Sequence, residues 1–205
     1  MKTLNRILTV VCVMLIAQYG IAQTIAGSAH DFSPETWNAS GEICIVCHTP
    51  HNAVTLSDAP LWNHELTTQT FTLYASPTLN ATMAQPTGSS KLCLSCHDGT
   101  VALENFGGTT GGTNFVTGNA LVGIDISDDH PISFTYDAAL ATADGGLFDP
   151  TTASSGLGGT INDDLLLGGQ LQCASCHDVH NGAGIAFLLR MNNAASNLCL
   201  TCHNK

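Results

Sequence analysis

Apolar residues in this chain seldom keep a rhythm for long. One continuous apolar run, Ile7 to Ala17, stands near the start. Thr70-Phe-Thr-Leu-Tyr74 alternates and predicts a short strand. Ile185-Ala-Phe-Leu-Leu-Arg-Met191 predicts a short helix. Residues 27–43 carry enough Gly, Ser, Asn and Pro to stay irregular, and residues 105–122 and 141–170 read as polar surface loops rich in glycine. No segment sustains a helical or strand period beyond about ten residues. A chain of 205 residues with so little pattern lacks the means to build a self-sufficient core.

The apolar run has its own explanation. It follows Lys2 and Arg6 and precedes the small residues Gly20, Ala22 and Ala26. This predicts a secretory signal peptide over residues 1–22, cleaved after Ala22. The run is short for a membrane anchor. Cys12 lies inside it and would leave with it; Val11 before it is not the small residue of a lipoprotein signal. The mature chain would keep three basic residues, Lys91, Arg190 and Lys205, against sixteen acidic ones. Nucleic acid and anionic membranes are therefore excluded as partners. The acidic balance keeps the chain soluble or steers cationic partners.

The eight remaining cysteines form four pairs, and each pair is followed at once by histidine. They read Cys44-Ile-Val-Cys47-His48, Cys93-Leu-Ser-Cys96-His97, Cys173-Ala-Ser-Cys176-His177 and Cys199-Leu-Thr-Cys202-His203. Cys-x-x-Cys-His is the attachment pattern of c-type haem. Two thiols three residues apart lie on one side of a helical turn and can form thioethers with the two vinyl groups of one haem. The histidine then falls beneath the iron as its proximal ligand. Zinc or a redox disulfide would also use paired cysteines, but neither needs histidine at that position. At the chain's histidine content, four such coincidences arise by chance roughly a few times in a million. The reading is four covalent haem c groups, each with its iron, on Cys44/Cys47, Cys93/Cys96, Cys173/Cys176 and Cys199/Cys202, with proximal ligands His48, His97, His177 and His203. Haem c is attached outside the cytoplasm, in agreement with the leader, and attachment to free thiols there implies dedicated assembly factors.

The fold expected is a multihaem cytochrome c: mostly irregular coil, short helices at the Cys-x-x-Cys-His sites and a core made by the haems. About 45 residues per haem suffice to wrap a porphyrin and little else. Folding should then depend on the cofactor.

Five further histidines are candidates for the distal position: His30, His51, His64, His130 and His180. Their order repeats. His30 precedes Cys44-x-x-Cys47-His48-x-x-His51 and the plain second motif; His130 precedes Cys173-x-x-Cys176-His177-x-x-His180 and the plain fourth. Two dihaem modules follow, 27–100 and 125–205, joined by a Gly/Thr-rich connection over 101–124. By this spacing His51 would serve the haem at Cys93/Cys96 and His180 the haem at Cys199/Cys202. His30 and His130 would serve the first and third, and His64 would be left over; it would replace one of these, or one histidine would reach an adjacent molecule. With at least as many spare histidines as irons, every iron is expected to be six-coordinate, which argues against an enzyme such as a multihaem reductase of a small oxidant. The acids at 128–129 and 163–164 are expected as solvated loop residues, or calcium ligands at best.

Several stretches carry a resemblance. His30-Asp-Phe-Ser33, Cys47-His-Thr-Pro-His-Asn52, Pro60-Leu-Trp-Asn-His64, Cys96-His-Asp-Gly-Thr100, Asp129-His-Pro-Ile-Ser133 and Cys176-His-Asp-Val-His-Asn181 resemble a family of small exported multihaem cytochromes. It includes the OmcE-like tetrahaem cytochromes that polymerise into extracellular nanowires. The resemblance spans nearly the whole mature chain. It implies bis-histidine haems in a continuous stack, and a filament in which a neighbouring subunit completes one haem's ligation. The expectation is extracytoplasmic electron transfer at the cell surface, with a head-to-tail homo-oligomer and other redox proteins or extracellular acceptors as partners. A monomeric periplasmic carrier is the alternative. The first and last haems, attached near the two ends of the mature chain, would have exposed edges for transfer between subunits.

Overall fold

The computed structural model describes residues 25–51, 53–56 and 59–204. The expected leader lies outside them. Among the described residues, no helix is long and apolar enough to cross a membrane. Regular structure is sparse. Among the described residues there are five short helices: α1 (Gly88–His97), α2 (Ala138–Asp144), α3 (Ile161–Asp164), α4 (Cys173–Cys176) and α5 (Asn197–Cys202). The same residues hold one two-stranded antiparallel sheet that pairs β1 (Phe134–Thr135) with β2 (Gln170–Leu171), Phe134 opposite Leu171. The rest is turns and extended coil, as the weak periodicity predicted.

Two expected elements take other forms, each for a visible reason. Over 70–74 there is no strand. The amide of Gln85 takes the place of a neighbouring strand, its Oε1 accepting from Phe71 N (2.8 Å) and its Nε2 donating to Phe71 O (2.9 Å). Thr72 then makes an isolated bridge to Asp125. Over 185–191 there is one 3-10 turn (Ala186–Leu188), with Phe187 and Leu188 at φ 61° and 56°. The chain leaves this turn extended and lies beside His177. A continuous helix would carry it away from that contact.

The apolar packing is divided. Phe134, Tyr136, Ala141, Ile161, Leu165, Leu166, Leu171, Met191 and Leu198 form one cluster. Ala59, Trp62 and Leu92 form a second, and Phe71, Leu94 and Ile126 a third. Between the halves lies a polar joint. Gln172, 2% exposed, accepts from Ser90 N (3.3 Å) and Ser133 Oγ (3.0 Å) through Oε1. Cys173 N donates to Ser90 Oγ (3.0 Å). Small serines at 89 and 90 let α1 and α4 approach, and every bond made here offsets the cost of burying a polar group.

The acidic pairs serve the loops. Asp163 and Thr160 form a capping box at α3, and Asp164 accepts from Gly159 N (2.8 Å) and Ser155 Oγ. Asp128 and Asp129 are exposed.

Candidate functional site

Each Cys-x-x-Cys-His stretch folds as one helical turn. Three of the turns lie in α1, α4 and α5; the first is an isolated turn. The amide of the histidine donates back to the first cysteine's carbonyl at His48 (2.8 Å), His177 (3.0 Å) and His203 (3.0 Å). This closes the turn and sets both thiols on one side of it. Cys44 and Cys199 are exposed, while the other six are partly buried.

A returning segment then clamps each turn. At the first motif, Leu61 O accepts from Thr49 N (2.8 Å) and Asn63 N donates to Cys47 O (3.0 Å). At the third, Leu188 O accepts from Asp178 N (2.7 Å) and Arg190 N donates to Cys176 O (2.9 Å). At the fourth, Phe148 N donates to Cys202 O (2.9 Å) and Asn204 N to Gly146 O (2.9 Å). Leu61 and Leu188 both take a left-handed φ, so the first and third sites share even their strained residue. The repeat of ligand order in the sequence is thus a repeat of local geometry.

The clamps fix the imidazoles. Nδ1 bonds to a backbone carbonyl at His48 (Pro60 O, 2.8 Å), His97 (Ala120 O, 2.7 Å) and His177 (Phe187 O, 3.0 Å). A proton held on Nδ1 leaves Nε2 as a bare lone pair, the form in which imidazole binds a metal. His130 Nδ1 has the same kind of partner in Pro131 O (2.9 Å). His180 Nδ1 instead stands 3.7 Å from the Asp178 carboxylate.

Three pairs of rings face one another. His48 and His180 are 6.3 Å apart between centroids and nearly parallel, at 13°. His30 and His97 are 5.9 Å apart at 49°. His130 and His203 are 6.2 Å apart at 76°. A metal–imidazole bond is about 2.0–2.1 Å, so two rings on opposite sides of one metal have centroids roughly 6 Å apart. The spacing therefore fits an iron between each pair. Burial, with His97 and His177 nearby, pulls His30 down to about 4, so it is neutral and able to ligate at neutral pH.

These pairs differ from those expected by spacing. His180 faces His48, not His203; His30 faces His97, not His48; His130 faces His203, not His177. His64 faces no motif ring. It is 1% exposed, with Nδ1 2.9 Å from Glu65 O and Nε2 3.1 Å from Ala102 O; the one N–H of a neutral ring donates to one of these carbonyls at a time. Its ring packs 3.6 Å from Cys96 Sγ. His51 is exposed, and among the described residues no imidazole faces His177 at the spacing of the other pairs.

The four attachment points lie in sequence order. Cys47 lies near Cys93 and Cys96, Cys93 touches Cys173, and Cys176 lies near Cys199. The Cys93 thiol donates to Cys173; that bond and burial push Cys93 up, and the same bond, against the opposing effect of burial, draws Cys173 down to about 7. Around the motifs the surface is apolar. Leu61, Leu121, Val122, Val179 and Leu200 are each more than one-third exposed, and Phe187 is 86% exposed. Such side chains beside the motif histidines suit the faces of a porphyrin, and they lie outside the motifs themselves.

The family model of the doubled CXXCH motif matches residues 167–205, the stretch that holds the third and fourth motifs. No curated protein matches the chain. Together with the four motifs, this identifies a multihaem c-type cytochrome motif, with covalently bound haem c as the cofactor and electron transfer as the chemistry it serves.

Proposed function

We propose that this chain is an exported tetrahaem cytochrome that conducts electrons as a subunit of an extracellular filament. The observation that carries the reading is the set of three facing imidazole pairs. A histidine on each side of an iron leaves no position for a substrate at three of the four irons, and a histidine from the neighbouring subunit closes the fourth, so in this reading the protein performs no bond chemistry and is not an enzyme. Haem c, when bound, supplies a one-electron iron couple. The chain's own residues do the rest. The clamps hold the imidazoles, the apolar side chains beside the motifs exclude water, and contact of α1 with α4 brings the second and third attachment points together.

The filament is supported by what the three pairs leave over. His177 has no facing imidazole among the described residues, and His51 is exposed. His51 of one copy completing the His177 site of the next would satisfy both and link copies head to tail. The exposed Cys44 and Cys199 sit at the two ends of the row of attachment points, where transfer between copies needs an accessible haem edge. The acidic chain and the leader agree with a place at the cell surface, with other redox proteins or extracellular acceptors as partners.

Electron microscopy of material sheared from cells, with haem staining of the same fraction, tests this. Ordered filaments that stain for haem are expected, and His51→Ala should abolish them while the released protein keeps four haems. Haem confined to a soluble periplasmic fraction, without filaments, would establish a monomeric carrier instead.

A further inference from the structure

The facing imidazoles are not held alike. His48, His97 and His130 each rest Nδ1 on a backbone carbonyl, and His180 has the Asp178 carboxylate behind its own. His30 Nδ1 is buried with no hydrogen-bond partner. Protein covers that atom, so nothing that enters the site can supply its acceptor, and Nε2 is the nitrogen left for a metal. Binding through Nε2 puts the one N–H of the neutral ring on Nδ1, where it meets no acceptor. An imidazole without such a partner is a poorer ligand, by roughly 10–100-fold in metal affinity.

The segment that carries His30 is also loosely tied. Among the described residues, every hydrogen bond of residues 25–43 closes within the segment, as a series of turns such as Asp31 N to Ser28 O and Asn38 N to Glu35 O. Ring contacts join it to the body: His30 to His97, and Trp37 to Phe106 at 6.4 Å between centroids. Phe32 packs edge-on against His30 at 6.0 Å. Phe32 and Trp37 line an open cavity of about 400 Å³, whose other walls include Leu103, Asn114 and Phe115. No motif cysteine or histidine lines it. His97, by contrast, is fixed. Its ring bonds to Ala120 O, and its own carbonyl accepts from Val122 N (2.8 Å) and Gly123 N (3.1 Å). Of the two imidazoles in this pair, His30 is therefore the one free to leave.

Resting on the haem reading of Cys93 and Cys96 and on the facing of His30 and His97, we propose that the second haem is a binding site for a small neutral diatomic ligand, which takes the place of His30 on the ferrous iron. The bond from His30 Nε2 to the metal breaks, a bond from the ligand forms, and no electron changes hands. The freed segment has the cavity beside it to move into. That cavity is walled largely by apolar side chains, and the mature chain has three basic residues against sixteen acidic ones, so a neutral ligand is favoured over an anion. Nitric oxide belongs to this class and binds ferrous haem strongly enough to compete with an imidazole. Carbon monoxide, the weaker ligand, takes positions that are already open.

Paired titrations of the reduced, intact holoprotein test this, with carbon monoxide counting open positions and nitric oxide counting open and exchangeable ones. One more haem should bind nitric oxide than binds carbon monoxide, and at roughly 10–100-fold lower nitric oxide than the remaining haems require. His30→Ala should raise the carbon monoxide count by one and leave the nitric oxide count unchanged. Equal counts in the unsubstituted protein would overturn the proposal, as would all closed haems taking nitric oxide together. A nitric oxide count that rises by one in His30→Ala also overturns it, because the exchange then lies at another haem. A carbon monoxide count that His30→Ala does not move sinks the pairing of His30 with His97 itself. The mass of the haem peptide around Cys93 and Cys96 tests the underlying reading separately: a peptide without haem sinks that reading.

Discussion

Replacing His180 by alanine is expected to open the iron held at His48 and to leave the other three haems as they were. His180 lies only three residues beyond His177, and spacing alone would send it to the neighbouring fourth haem. The fold turns it to the first instead. Its ring stacks on His48 at 6.3 Å and 13°, with Asp178 behind its Nδ1. The histidine of the fourth motif, His203, already faces His130. About one quarter of the total haem should become high-spin and bind carbon monoxide, since loss of an axial ligand exposes one coordination position. Paramagnetic resonance can say which one. Nearly parallel imidazoles and the crossed pair of His130 and His203, at 76°, give ferric iron different anisotropies. The signal of the parallel pair should vanish while that of the crossed pair stays. High-spin iron at Cys199/Cys202 would restore the pairing by spacing and refute the facing rings.

The second large effect concerns the fold itself. Chain produced without haem attachment should show no cooperative thermal transition. Among the described residues the largest apolar cluster has nine buried residues, and the other two have three each. Leu61, Leu121, Val122, Val179, Phe187 and Leu200 stand open beside the motifs. Covering such side chains is worth about 1.5–3 kcal/mol apiece, and the net stability of a domain is only about 5–15 kcal/mol. Losing even a few of these contacts removes the margin. Binding that occurs only in the folded state is itself folding free energy. Circular dichroism of the chain made where haem is not attached measures this; a sharp cooperative melt would mean that the polypeptide core is sufficient alone.

The sequence disclosed the chemistry and concealed the partners. Cys-x-x-Cys-His is a local pattern, and the turn it predicts is closed by a hydrogen bond within five residues. The repeat of ligand order was also visible, and it reappears as matching clamps around His48 and His177. Which imidazole faces which depends on contacts across more than a hundred residues, as between His48 and His180, and no spacing encodes that. The surroundings of His64, with Glu65 O and Ala102 O beside its two nitrogens, are likewise not displayed by a sequence. The strand at 70–74 gave way to the side chain of Gln85. The helix at 185–191 gave way to a turn that Phe187 and Leu188 make in a left-handed conformation, which their residue types argue against. The clamp on His177 supplies the reason for that turn.

Mass spectrometry of the intact mature protein tests the central claim most directly. Four covalently attached haems, no free thiol and a chain that begins after the leader are the predicted result. A mass equal to the bare polypeptide, with the cysteines free, in disulfides or released from zinc by acid, would contradict it.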